Sequence, residues 1–322
     1  MLRTDTKLRC PVLRLGGRQL AGTAGPNSRV STTVAVPSRG TGDPLADACW
    51  LTSNCLLNRT DSGGDDQDSR ERAVGASLYD PINVYKPLAP DIGIVDGPLE
   101  YLTVSGIRLP LPFTTRMTVV RLSNGDLFLH SPIKFDEALA NELRGLGTVR
   151  HLVSPNQFHY AHIGEWAKAF PDTIAWASPR VRRRARARHA DIHFTRDLDA
   201  SAPEEWRDEI DQLLFPGGYF KEFIFFHKSS RTLILTDTII NIELDKISEP
   251  WRTATKLAGM YHPYGQIFFG MRVPLLLRRR KAKVAIEKIY SWQPHRIVIS
   301  HGRCFDADAD KVIRRIFGAP PQ

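Results

Sequence analysis

From Asn83 onward the apolar residues come in short bursts whose spacing predicts the elements. Ile92–Val95 and Tyr101–Val104 read as short strands about the turn Asp96-Gly97-Pro98, and Pro110 and Pro112 mark a loop. Met117–Leu122 and Leu127–His130 read as a hairpin, because Asn124-Gly125 tolerates the positive φ of a tight turn. Phe135–Leu146 carries apolar positions three and four apart and stops at Gly145 and Gly147, which predicts a helix. A strand at Val149–Val153, a helix over 163–170 closed by Pro171 and a strand at Thr173–Ala177 follow. A second hairpin pairs Phe223–His227 with Thr232–Thr236 across Lys228-Ser229-Ser230-Arg231. The chain ends with a helix at Val284–Tyr290, a strand at Arg296–Ser300 and a helix at Asp308–Phe317. Each half opens with a hairpin and then alternates strand and helix, the pattern of a layered α/β (α+β) fold.

Composition removes some classes. With 42% hydrophobic and 25% charged residues the chain has a globular balance. No apolar run reaches the roughly 18 residues of a membrane span. The longest, Ile267–Leu277, is interrupted by Arg272. Cys10, Cys49, Cys55 and Cys304 are too scattered for a disulfide framework or a Cys-rich zinc module.

The formal charge of +9 is unevenly spread. Residues 1–45 carry +5, are rich in Ser, Thr, Gly and Ala, and show no apolar periodicity, which reads as a disordered, targeting-like tail. Its Ser31–Val36 run points to the chloroplast, with the mitochondrion as the alternative. Residues 46–78 read as a solvated linker, with −3 over 46–75. The folded domain is expected over 84–318.

Three places carry candidate chemistry. Asn156–Gly164 holds His159 and His162 and follows a buried strand. Asp237 ends the apolar strand Thr232–Thr236, where a carboxylate needs a partner. His301-Gly302 follows the strand Arg296–Ser300. All three lie just past the C-terminal end of a short apolar strand, and such ends converge on one edge of a layered sheet.

At these residues the chain resembles the metallo-β-lactamase fold, whose first motif reads His-x-His-x-Asp-His-x-Gly. Laid on Gln157–Gly164, it matches at His159, His162 and Gly164 and departs at Gln157 and Ala161. Gly218, after Pro216-Gly217, stands where the fold has its next His, and His130 where it has an early Asp. Asp237 and His301 match the bridging Asp and the last His. Six further segments, Val95–Pro98, Phe113–Thr118, Leu129–Pro132, Val153–Asn156, Gly164–Trp166 and Asp211-Gln212, resemble an uncharacterised branch of that superfamily, a domain-of-unknown-function family of bacteria and plastid-bearing eukaryotes.

The resemblance implies an αββα four-layer sandwich of metallo-β-lactamase type with an eroded metal site. Four ligand positions keep a donor: His159, His162, Asp237 and His301. They leave two states open. One divalent metal (zinc, iron or manganese) held there would support hydrolysis of a small ester or thioester, with Asp237 or His159 orienting or deprotonating the water. Alternatively no metal is held, Gly218 leaves space, and the emptied pocket serves a non-catalytic binding or scaffold protein for a small ligand. Arg180–Arg188 and Arg278–Lys283 are basic runs able to meet a polyanion or an anionic membrane surface, although a solvated helix face is the commoner use. Without interleaved aromatics they argue against nucleic-acid binding.

Overall fold

The computed structural model describes residues 76–104 and 107–319. The tail 1–45 and most of the linker lie outside the described residues. The linker's last residues, Ala76–Leu78, are packed: Ser77 N–H donates to Lys246 O, and Lys246 Nζ donates to Leu78 O.

A seven-stranded sheet runs β1 (Tyr85–Ala89), β2 (Ile92–Val104), β3 (Ile107–Arg121), β4 (Asp126–His130), β5 (Thr148–Ser154), β6 (Ile174–Ala177), β7 (Arg196–Asp197), in that spatial order. It is antiparallel up to β4 and parallel from β4 to β7. A four-stranded sheet contains β8 (Ile210–Phe215), β9 (Glu222–His227), β10 (Thr232–Ile234) and, parallel to β10, a strand at Arg296–Val298. Ile239–Ile240 (β11) and Gln266–Ile267 (β12) form a small ladder, so the strand at Arg296–Val298 is β13. The helices are α1 (Glu137–Leu146), α2 (Ile163–Ala169), α3 (Val181–Ala187), α4 (Trp251–Leu257), α5 (Phe269–Leu277), α6 (Arg279–Trp292) and α7 (Ala309–Phe317).

Three apolar cores establish the layering. Ile92, Val120, Phe128 and Val153 of one sheet meet Phe223, Phe225 and Ile234 of the other. The outer face of the large sheet packs on α1, α2 and α3 through Leu139, Leu143, Ile163, Trp166 and Val181. That of the small sheet packs on α5, α6 and α7 through Met271, Ile289, Trp292, Val312 and Ile316. The order is helix, sheet, sheet, helix, as expected.

Local causes are plain in α1. Asp136 Oδ1 caps it by accepting from the Leu139 N–H at 2.9 Å, and Glu137 and Arg144 suit the two ends of the helix dipole. Three readings need correction. Asp96-Gly97-Pro98 is not a turn between two strands: β2 runs through it from Ile92 to Val104, with only a register shift against β3 between Gly97 and Glu100. Pro110 and Pro112 do not form a loop, since both lie inside β3. There β3 pairs with β2 alone, because β4 joins only at Thr118–Arg121, and a free strand edge tolerates proline. The helix expected at Val284–Tyr290 begins five residues earlier, its first turn hidden in the exposed basic run.

Candidate metal centre

His159 lies in the loop after β5. Asn156 Oδ1 accepts from the backbone N–H of Phe158 and of His159 at 2.7 and 3.1 Å, a side-chain turn that shapes the loop. Asn156 Nδ2 donates to Asp237 Oδ2 at 2.8 Å, so one amide positions two candidate residues. Asp237 is held from below by Glu222. This fully buried carboxylate accepts from the N–H groups of Thr236, Asp237 and Thr238 at 2.6, 2.7 and 2.8 Å. His301 follows β13, the parallel neighbour of β10, which brings it beside Asp237.

Arg116 brackets His301. Its Nη1 donates to Ile299 O at 2.8 Å and Gly302 O at 2.7 Å, and Asp96 anchors the guanidinium at 2.6 Å. Gly302 has φ +97°, and a Cβ there would strike the Asn241 carbonyl, so the turn after His301 requires glycine.

Three donor atoms converge. His159 Nε2 and His301 Nε2 each lie 3.2 Å from Asp237 Oδ1 and 3.3 Å from one another. His301 Nδ1 is 2.7 Å from Thr114 O, which can only accept, so that nitrogen carries the proton and Nε2 presents a lone pair. His159 Nδ1 is tied to Ser131 Oγ at 2.7 Å. The His301 lone pair facing a carboxylate oxygen, with His159 Nε2 beside both, calls for a proton or a metal ion among them. Around a tetrahedral ion with bonds of about 2.0–2.1 Å, ligand atoms stand about 3.3 Å apart. The residues therefore fit one divalent ion, each histidine being oriented through its other nitrogen.

The electrostatics keep Asp237 ionised. Burial opposes ionisation of Asp237, but His159 and His301 outweigh it and hold its carboxyl far below the usual carboxylate range. Burial and the neighbouring Asp237 charge push Glu222 up to about 7, against its backbone donors.

His162 does not join this group. Its Nε2 is 2.9 Å from Glu100 Oε1 and its Nδ1 3.2 Å from Glu165 Oε2. Burial would lower its pKa, but the two glutamates outweigh that and raise it to about 9. It is therefore a paired cation at neutral pH, with no lone pair to offer. Gln157 Nε2 donates to Tyr219 O at 2.8 Å. Gly218 leaves no space: its φ is +70°, and a Cβ there would lie 2.6 Å from Pro274 Cβ of α5. His130 is fully buried with neither ring nitrogen hydrogen-bonded among the described residues.

Sequence reading missed Glu100, Arg116 and Glu222. Arg116 and Asp96 lie inside the segments Phe113–Thr118 and Val95–Pro98 that carried the family resemblance, and that was the available signal. Glu100 and Glu222 lie in strands with no local mark. Beside Asp237 and His301 opens a cavity of about 900 Å³, walled mainly by apolar side chains such as Phe220, Ile240, Met260 and Phe268. Residues of α4 and α5 and of the segment 76–79 complete its lining.

No curated protein matches the chain in sequence. Among solved structures it is similar to the metallo-β-lactamase FIM-1 from Pseudomonas aeruginosa in its mono-zinc form, at 10% identity and TM-score 0.49, over 72% of this chain and 93% of that one. A metallo-β-lactamase from Pontibacter korlensis is similar at 12% identity and TM-score 0.46, over 74% and 96%. The metal-soaked Flv1 flavodiiron core from Synechocystis sp. PCC6803 is similar at 10% identity and TM-score 0.49, over 74% and 60%. The family model described as Domain of unknown function (DUF4336) matches residues 104–251 of this chain.

Proposed function

We propose that the protein is a hydrolase that holds one divalent metal, zinc, iron or manganese, through His159 Nε2, Asp237 Oδ1 and His301 Nε2. It acts on an ester or thioester whose apolar part occupies the adjoining cavity. The observation that carries this reading is the spacing of the three donor atoms, 3.2, 3.2 and 3.3 Å, with both histidines tied through Nδ1. A metal bound there supplies Lewis acidity, lowering the pKa of a water and polarising the substrate carbonyl. Asp237 acts as a fixed negative anchor rather than as the proton acceptor. Asn156 engages one of its oxygens and the two imidazoles the other, and its proton affinity is low. Ser131 steadies the His159 ring through Nδ1, which leaves Nε2 directed at the site. The apolar walls exclude water from the substrate chain, and the wall residues Asp237 and His301 place the reacting group at the metal donors.

A second reading, a metal-free carrier of an apolar ligand, draws support from the same cavity. Elemental analysis of the purified full chain separates the two. Near one metal per chain is expected in the wild type and in His162→Gln, with loss in Asp237→Asn and His301→Ala. Sub-stoichiometric metal in the wild type would overturn the hydrolase reading. Chelation should abolish ester turnover while leaving binding of an apolar ligand intact.

A further inference from the structure

The outer side of α5 is not used by the site. Met271 faces the core, whereas Phe269, Val273, Leu276 and Leu277, at i, i+4, i+7 and i+8, form a stripe 59, 62, 75 and 81% exposed. Arg272 hydrogen-bonds Ala258 O just past the end of α4, where Leu257 is 85% exposed. A contiguous apolar stripe facing water marks an interaction surface.

The charge around the stripe is one-sided. From Trp251 to Ile286 the chain has eight Lys and Arg and no Asp or Glu. Arg278, Arg279, Arg280 and Lys281 are exposed and form no ion pair among the described residues. Lys283 pairs with Glu287 at 3.8 Å. The other basic run reaches the same place. Lys221 is held below the ordinary lysine value, first by burial and then by the charges of Arg180, Arg278 and Lys281. The runs beginning at Arg180 and Arg278 meet around residues 218–221: the Arg180 guanidinium lies over the Tyr219 ring at 5.7 Å, and Arg278 Nη1 would stand 4.0 Å from a Cβ at Gly218. The cavity reaches this face: Ala254, Phe269 and Val273 line it and are themselves exposed.

We propose that this face docks on an anionic lipid bilayer, with the α5 stripe at the boundary of headgroups and acyl chains and the basic cluster on lipid phosphates. An apolar helical face flanked by Lys and Arg lies in the plane of a membrane surface. Among the described residues no helix is long and apolar enough to cross a membrane, and α5 has 9 residues, so the contact is superficial. The cavity mouth then faces the lipid, and an apolar chain passes from bilayer to cavity without crossing water. Docking does not depend on the metal.

The test is co-sedimentation of the full chain with vesicles of phosphatidylcholine alone or mixed with phosphatidylglycerol. The wild type pellets with the anionic vesicles and stays in solution with the neutral ones. Arg279→Gln/Arg280→Gln/Lys281→Gln weakens binding on the order of a hundredfold, each cation near an anionic surface contributing roughly fivefold. Leu276→Ser/Leu277→Ser weakens it at least about tenfold. All these side chains are exposed, so melting temperature should not move, and circular dichroism checks that. The proposal is overturned if the wild type ignores anionic vesicles at low salt, or if both variants bind as it does. It is equally overturned if the leucine variant binds normally while RNA competes through the basic cluster, which would make the patch a nucleic-acid site.

Discussion

His130 and His151 show how completely surroundings can set a side chain's chemistry. Burial, joined by the charge of His159, drives His130 down to about 3, and burial drives His151 down to about 4. In the unfolded chain both titrate near 6.5. As pH falls below about 6.5 the unfolded state takes up protons that the folded state refuses. Stability therefore drops toward pH 4 and then 3, by up to about 1.4 kcal/mol per pH unit and residue. His162 has the opposite sign. Raised to about 9 by its glutamates, it contributes stability fully present below about 6.5 and lost as pH rises through 9. Urea midpoints across pH should show both limbs, with His130→Phe flattening the acid limb and His162→Gln the basic one. An unchanged acid limb in His130→Phe would refute that assignment. Three of the four expected donors, His159, Asp237 and His301, could be read from the sequence because each follows an apolar strand. The diversion of His162 could not, since its captor Glu100 lies 62 residues away.

Elements were legible wherever neighbours in sequence decide their form. The Asn124-Gly125 hairpin and the capped helix α1 are of that kind. Helix α5 was not, because it is apolar on both sides, contains Pro274 and shows no single-faced period. Yet α5 decides the fate of a motif position. Restoring the missing imidazole with Gly218→His should not create a second metal site. It forces a side chain onto a φ of +70° and into Pro274, at a cost of about 1–3 kcal/mol. The expected result is a lower urea midpoint with no gain in bound metal. A stable variant with two metals per chain would contradict it.

Taken together, the layers create what no single element holds. Helices α4 and α5, strands β3 and β11 and residues of the segment 76–79 enclose the cavity beside Asp237. If the substrate's apolar part lies there, Ala258→Trp should lower kcat/KM for long-chain esters on the order of tenfold and leave acetyl esters nearly unaffected. Equal loss for both would mean that the chain binds elsewhere.

Hydrophobic periodicity already dictated many of the strands and helices and the layered class, and it marked three candidate donors at strand ends, because these depend on residues a few positions apart. Packing alone decided that His162 belongs to Glu100, that Pro274 fills the place beside Gly218, and that two basic runs face one surface. Those outcomes rest on contacts between segments distant along the chain, such as Arg116 with Ile299, 183 residues apart. Local pattern carries no trace of contacts of that range.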